Sequence, residues 1–172
     1  GMWPMNKAET PDVRTVNFGV EFLGRGQPDP FFLAIGVFRP HMPFHVPPKY
    51  FSHYPEANVV MPTVAPDDLD DLPAGALALL KQKEHFFKTI LSVEKDRPGT
   101  WKESVRAYQA SCTFADHQIG RLLDALAMSP YRDNTIVVLW SDHGYHLGEK
   151  QHWEKFALWE RTTRVPLIVV AP

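Results

Sequence analysis

The chain has 172 residues, 44% of them apolar and 22% charged, with 18 basic against 20 acidic side chains and a formal net charge of −2. That is enough to bury a sizeable core in one domain, and the balance excludes a disordered polymer and a basic nucleic-acid-binding surface. The longest apolar runs, FFLAIGVF at 31–38 and IVVLW at 136–140, fall far short of the roughly 20 residues a membrane-spanning helix needs.

Residues 1–30 are mixed and weakly periodic, with Pro4, Pro11, Pro28 and Pro30 interrupting any long element, so a frayed, weakly structured lead-in is expected. Gly1 before Met2 reads as an expression scar; no leader is visible, and localisation stays open. FFLAIGVF is short, continuous and bounded by prolines, which predicts a central strand buried on both faces. Arg39–Pro73 then holds eight of the chain's 16 prolines and predicts a long ordered loop. Within it the acids Asp67, Asp68, Asp70 and Asp71 lack the glycine and distal glutamate of an EF-hand, so a solvated turn or helix start is expected.

Residues 74–93 read as irregularly helical. Thr100 and Glu103 have capping-box spacing, and Val105, Tyr108, Cys112, Ala115, Ile119, Leu122 and Leu126 recur at steps of three and four, predicting an amphipathic helix that ends near Ser129-Pro130. Its stripe buries Cys112, the one cysteine, as a packing residue; a lone thiol offers neither an intrachain disulfide nor a cysteine-rich metal site. Strands follow at Thr135–Trp140 and Val165–Val170. The order strand, helix, strand, loop, strand predicts an α/β sheet with right-handed crossovers.

Ligands of open α/β sheets gather beyond the carboxyl ends of the strands. Asp142 and His143 occupy that position after TIVVLWS, where an acid and an imidazole can both reach a cation if the backbone turns, and Gly144 would permit the turn. His41, in the RPHMPFH run, leaves FFLAIGVF in the same way; parallel strands would bring it to the same edge as Asp142, an arrangement suited to an anionic substrate. Lys155, in the GEKQHWEK loop (148–155) that begins within about ten residues of Asp142, could set a compact positive charge on a bridging or leaving oxygen. Read singly, each has an ordinary alternative: a capped turn, histidines on backbone carbonyls, a surface lysine paired with Glu154 or Glu160.

Read together, FFLAIGVFRPHMPFHVPPKYFSHYP (31–55), YQASCTFADHQIGRLLDAL (108–126) and NTIVVLWSDHGYHLGEKQHWEKFALWERTTRVPLIVVAP (134–172) resemble the sulfatase family of the alkaline phosphatase superfamily, especially its iduronate-2-sulfatase-like bacterial members. The resemblance covers about half the chain. It implies a partial alkaline-phosphatase-like sheet sandwiched by helices, within a single partial sulfatase domain over 1–172 that lacks the N-terminal nucleophile region and C-terminal subdomain. Asp142 and His143 would lie at a divalent metal, with His41 and Lys155 flanking the sulfate ester. Calcium, usual in the family, prefers oxygen ligands, so His143 is either a peripheral contact or an acid–base partner. The formylglycine motif C/S-x-P/A-x-R is absent: Cys112 is followed by Thr113-Phe114-Ala115-Asp116. An early strand ending in paired aspartates is missing too.

The chain therefore resembles an internal segment of a larger, exported or periplasmic sulfuric ester hydrolase, inactive alone, whose substrate is a sulfate ester such as a sulfated carbohydrate. A phosphoesterase of the same superfamily, and a non-catalytic remnant that binds anions or self-associates, are the alternatives. Neither nucleic acid nor membrane is expected as a partner.

Overall fold

The computed structural model describes residues 10–83 and 85–172. In chain order the elements are α1 (Pro11–Gly24), α2 (Pro48–Phe51), α3 (Ala74–Lys83), α4 (His85–Asp96), α5 (Thr100–Ala127), β1 (Val137–Trp140), β2 (His146–Leu147), β3 (Trp153–Glu154), α6 (Glu160–Thr163) and β4 (Leu167–Val170). The chain is α/β, with two small sheets among helices. It divides into two compact units: Gly1–Val59, Arg106–Ile136 and Ala171–Pro172 in the first, Val60–Val105 and Val137–Val170 in the second.

The first unit corrects two expectations. Where a frayed lead-in was expected, α1 is a helix of 14 residues: Thr10 caps it by accepting from the Val13 N–H at 3.3 Å, and Pro11 falls at the start, where its missing N–H leaves no bond unmade. Residues 1–9 of that lead-in, with Pro4 and the Gly1-Met2 pair, lie outside the described residues. The run 31–38 is extended, but it joins no strand ladder among the described residues, and its burial alternates. Phe31 stacks edge-on against Phe22 and Tyr131, each at 5.1 Å, and Ile35 packs on Gly19, while Phe32 is 91% exposed. A continuous apolar run cannot tell a two-sided strand from an extended segment that covers one helix face.

The core of this unit forms where the proline-rich loop meets α5. Val46, Tyr50, Ala110 and Phe114 are buried together, and Tyr50 meets Phe114 edge-on at 5.3 Å. Polar bonds fix the loop against the helix: Tyr50 Oη with His117 Nδ1 at 2.8 Å, Tyr54 Oη with Thr113 Oγ1 at 2.6 Å, and Arg106 Nε donating to the Tyr54 carbonyl at 2.7 Å. Cys112 lies partly buried on α5, and desolvation pushes its thiol up to about 11, in keeping with the expected packing role.

In the second unit β1 and β4 pair antiparallel, Val137 opposite Val170 and Trp140 opposite Leu167, instead of lying parallel as the expected crossovers required. Six of their eight side chains, Val138 and Trp140 among them, are exposed. β2 and β3 form a second antiparallel pair, His146 opposite Glu154 and Leu147 opposite Trp153, closing a hairpin.

The start of α5 also departs from expectation. Thr100 and Glu103 form no capping box: Thr100 Oγ1 donates to the Arg97 carbonyl at 2.7 Å, and Glu103 pairs with Arg97 at 3.1 Å. Glu94, at the end of α4, is the cap, its two oxygens accepting from the Gly99 and Trp101 N–H groups at 2.7 Å each. The N–H of Trp101 and then that of Gly99 hold its carboxyl below the usual glutamate range. Glu94→Ala is expected to lower stability by about 1 kcal/mol at pH 7, measured by urea unfolding. Because the folded carboxyl titrates below the unfolded value of about 4.3, this difference should shrink as pH falls through that region.

Candidate active site

Asp142 and His143 leave β1 in a short loop ordered by its own polar groups. Ser141 Oγ donates to the His143 carbonyl at 2.8 Å, and the His143 N–H donates to Asp142 Oδ1 at 3.1 Å. His143 Nδ1 lies 2.8 Å from the Gly144 carbonyl, an acceptor only, so Nδ1 carries the proton and donates. Nε2 then faces Asp142 Oδ2 at 3.5 Å, so an imidazole nitrogen and a carboxylate oxygen lie side by side. The Asp142 side chain is 84% exposed and open to a ligand from solution.

Gly144 permits the expected turn through its missing side chain: a Cβ there would collide with the Arg161 carbonyl oxygen. The backbone contacts are Gly144 N–H to Thr162 O at 2.9 Å and Tyr145 N–H to Arg161 O at 2.8 Å, which fasten the loop to α6.

The β2–β3 hairpin connects this loop to Lys155. Trp101 Nε1 donates to the Leu147 carbonyl at 2.7 Å, and Gly148, at φ 132°, lies so close to the Trp101 ring that a Cβ would sit 2.5 Å from it. Phe87 of α4 meets the same ring edge-on at 5.2 Å. Glu149 receives the Leu147 N–H at 2.8 Å and pairs with Arg161 at 3.4 Å. Lys155 follows β3 directly, its ammonium 5.8 Å from the centroid of the Phe156 ring. Glu154, an expected surface partner for it, is buried.

The hairpin itself carries two buried histidines, His146 in β2 and His152 just before β3, whose pairing was not foreseen. His146 and His152 are 1% and 0% exposed, with ring centroids 5.3 Å apart, and Trp159 packs on His146 at 5.5 Å. His146 Nδ1 donates to the Glu149 carbonyl at 3.0 Å. Burial, and secondarily the neighbouring His146, lower the His152 pKa to about 4; burial also lowers that of His146, against the opposing pull of Glu149 and Asp68. The available signal was two histidines six apart in a stretch with Tyr145 and Trp153, a pattern that a protruding binding loop shares.

Of the four residues singled out from sequence, the structure brings Asp142 and His143 into contact and sets Lys155 in the same unit. His41 lies in the first unit, stacked on Phe38 at 4.6 Å with Nδ1 2.6 Å from the Met42 carbonyl. The parallel sheet expected to bring His41 and Asp142 out at one edge is not formed among the described residues: 31–38 enters no ladder there, and β1 pairs antiparallel with β4. No cluster of three or more His, Cys, Asp or Glu side chains with metal-site geometry occurs among the described residues.

The sulfatase family model matches residues 2–172. The chain belongs to the sulfatase family. It is 43% identical over its full length to a sulfatase of Formosa agariphila, covering 33% of that protein, and 33% identical over 94% of its length to human iduronate 2-sulfatase, covering 30%. Among solved structures, a phosphonate monoester hydrolase of Silicibacter pomeroyi matches 92% of the chain at a TM-score of 0.73 and 23% identity, with 32% of that enzyme covered. A sulfatase structure from Bacteroides fragilis matches 96% at a TM-score of 0.65 and 23% identity, again with 32% covered. These structures carry the alkaline-phosphatase-like fold, and the chain spans about a third of the length of the curated sulfatases it matches.

Because His152 takes up its proton more readily unfolded, at about 6.5, than folded, at about 4, the unfolded state binds more protons between these values. Stability should be complete above pH 7 and fall by about 3 kcal/mol by pH 4, read from urea midpoints. His152→Phe should flatten that slope.

Proposed function

We propose that this sulfatase chain is the part of a sulfuric ester hydrolase that supplies Asp142 and His143 to a divalent cation and His41 and Lys155 to the sulfate group. The observation that carries the reading is the Asp142–His143 pair, in which a carboxylate oxygen and an imidazole nitrogen converge at 3.5 Å on a solvent-open loop after β1. This donor set fits a cation held mainly through Asp142, and oxygen preference favours calcium. When bound, that cation would neutralise part of the charge on the sulfate and on the oxygen that leaves.

The chain's own residues do the remainder. Asp142 presents its oxygens; His143, locked by its bond to Gly144, keeps Nε2 on the same side. Lys155 supplies a fixed ammonium, and His41 an imidazole that can donate to the departing oxygen. The nucleophile, a formylglycine, comes from outside these residues, because Cys112 lacks the motif and its thiol is held protonated. The match of one family model across residues 2–172 supports reading both units as parts of one sulfatase domain.

A sulfated carbohydrate is the proposed substrate class. In support, one relative is an N-acetylglucosamine-6-O-sulfatase of Bacteroides thetaiotaomicron, 33% identical over 65% of the chain, and one structural neighbour holds D-glucosamine-2-N,6-O-disulfate as its substrate.

Calorimetric titration of the 172-residue chain with calcium should show a single site that Asp142→Ala weakens at least tenfold; equal binding by the variant would remove Asp142 from the site. Chromogenic aryl sulfate, with aryl phosphate alongside, should give no turnover. Hydrolysis of the sulfate by the chain alone would overturn the account of the nucleophile.

A further inference from the structure

Three residues other than glycine have positive φ among those described: Lys150 (54°), Gln151 (51°) and Glu154 (81°). All three lie in the five residues immediately before Lys155. Left-handed backbone is disfavoured for residues with a Cβ and persists only where the surroundings impose it. Such strain collects where a side chain must be aimed.

One side of this turn is already accounted for. Trp101 and Glu149 fix Leu147 and Gly148, and His152, Trp153 and Glu154 are buried beyond it. The left-handed residue Lys150 is taken by an acid 82 residues earlier in the chain. Its N–H donates to Asp68 Oδ2 at 2.9 Å, its ammonium donates to the Asp68 carbonyl at 2.6 Å, and the same ammonium lies 2.9 Å from Asp68 Oδ1 and 3.6 Å from Asp71 Oδ1. The pair is mostly shielded from water, with 19% of the Asp68 and 23% of the Lys150 side chain exposed. The hydrogen bond from Lys150 holds the Asp68 carboxyl below its usual range, and the same bond raises the lysine. Asp67 and Asp70, the other acids of the cluster, are exposed. The solvated acidic turn expected from sequence is thus a turn in which one acid faces inward and grips a distant strand connection.

We propose that Asp68 is a positioning residue for Lys155: by clasping both the backbone and the ammonium of Lys150, it holds the left-handed turn from which β3 runs and so sets where Lys155 points. This rests on the reading of Lys155 as a sulfate contact. Asp68 acts at a distance, through the turn, and touches no substrate. The expected consequence is selective: loss of the clasp should disturb the anion-binding arm and leave the Asp142–His143 loop, fastened separately to α6, unchanged.

The test compares the 172-residue chain with Asp68→Ala, Asp68→Asn, Asp70→Ala and Lys155→Ala by amide hydrogen exchange and by titration with calcium and, in its presence, inorganic sulfate. Asp68→Ala should speed exchange at residues 150–155 at least tenfold, leave α5 amides at wild-type rates, and weaken sulfate at least fivefold with calcium affinity unchanged. Asp68→Asn keeps an acceptor for the Lys150 N–H and should recover most of both losses, and Asp70→Ala should match wild type. Unchanged exchange in Asp68→Ala overturns the clasp. Faster exchange with unchanged sulfate affinity, while Lys155→Ala weakens it, overturns the positioning role alone. Equal sulfate affinity in Lys155→Ala and wild type overturns the reading of Lys155 and the inference built on it.

Discussion

The hydrogen bond from the Trp101 indole to the Leu147 carbonyl is the contact on which the second unit depends. It sets the hairpin against the start of α5, and it can form only because the neighbouring position is Gly148, whose missing side chain lets the backbone lie against the ring. Trp101 is held in turn by Glu94, which accepts its N–H, and by Phe87 against its edge. A helix cap, an aromatic pair and a bare backbone position therefore act together, and none is replaceable without moving the hairpin. Coupling of this kind makes single substitutions there non-additive, since each partner's geometry presumes the others.

Much of the local structure was legible. The stripe from Val105 to Leu126 reads as a helix because steps of three and four put those side chains on one face, and the structure has α5 over them. TIVVLW and VPLIVV read as strands and contain β1 and β4. What the pattern could not give was direction: strands of the same composition pair either way, and the antiparallel register follows from tertiary contacts. FFLAIGVF was extended as its residues predict, but extension alone does not fix a partner. The cap at α5 went unread because its acceptor, Glu94, belongs to the preceding helix and lies outside the usual spacing.

The candidate site divides in the same way. Asp142 and His143 were visible because adjacent residues at a strand exit must share a loop, and the Gly144 carbonyl fixes the ring by a purely local bond. Lys155 was visible through its motif. Its surroundings were not, because His146, His152 and Asp68 act through burial and through partners far along the chain. Acidic runs are usually solvated, and nothing in the order Asp-Asp-Leu-Asp-Asp marks the second acid as the one facing inward.

Cys112 carries a practical consequence. With its thiol near 11, only about one molecule in ten thousand bears a thiolate at pH 7, and the thiolate is the form that alkylating reagents and peroxides attack. The natural cysteine is therefore expected to react with maleimides far more slowly than an exposed thiol at neutral pH. A second cysteine placed on an exposed loop can take a fluorophore or spin label selectively, without first mutating the native one.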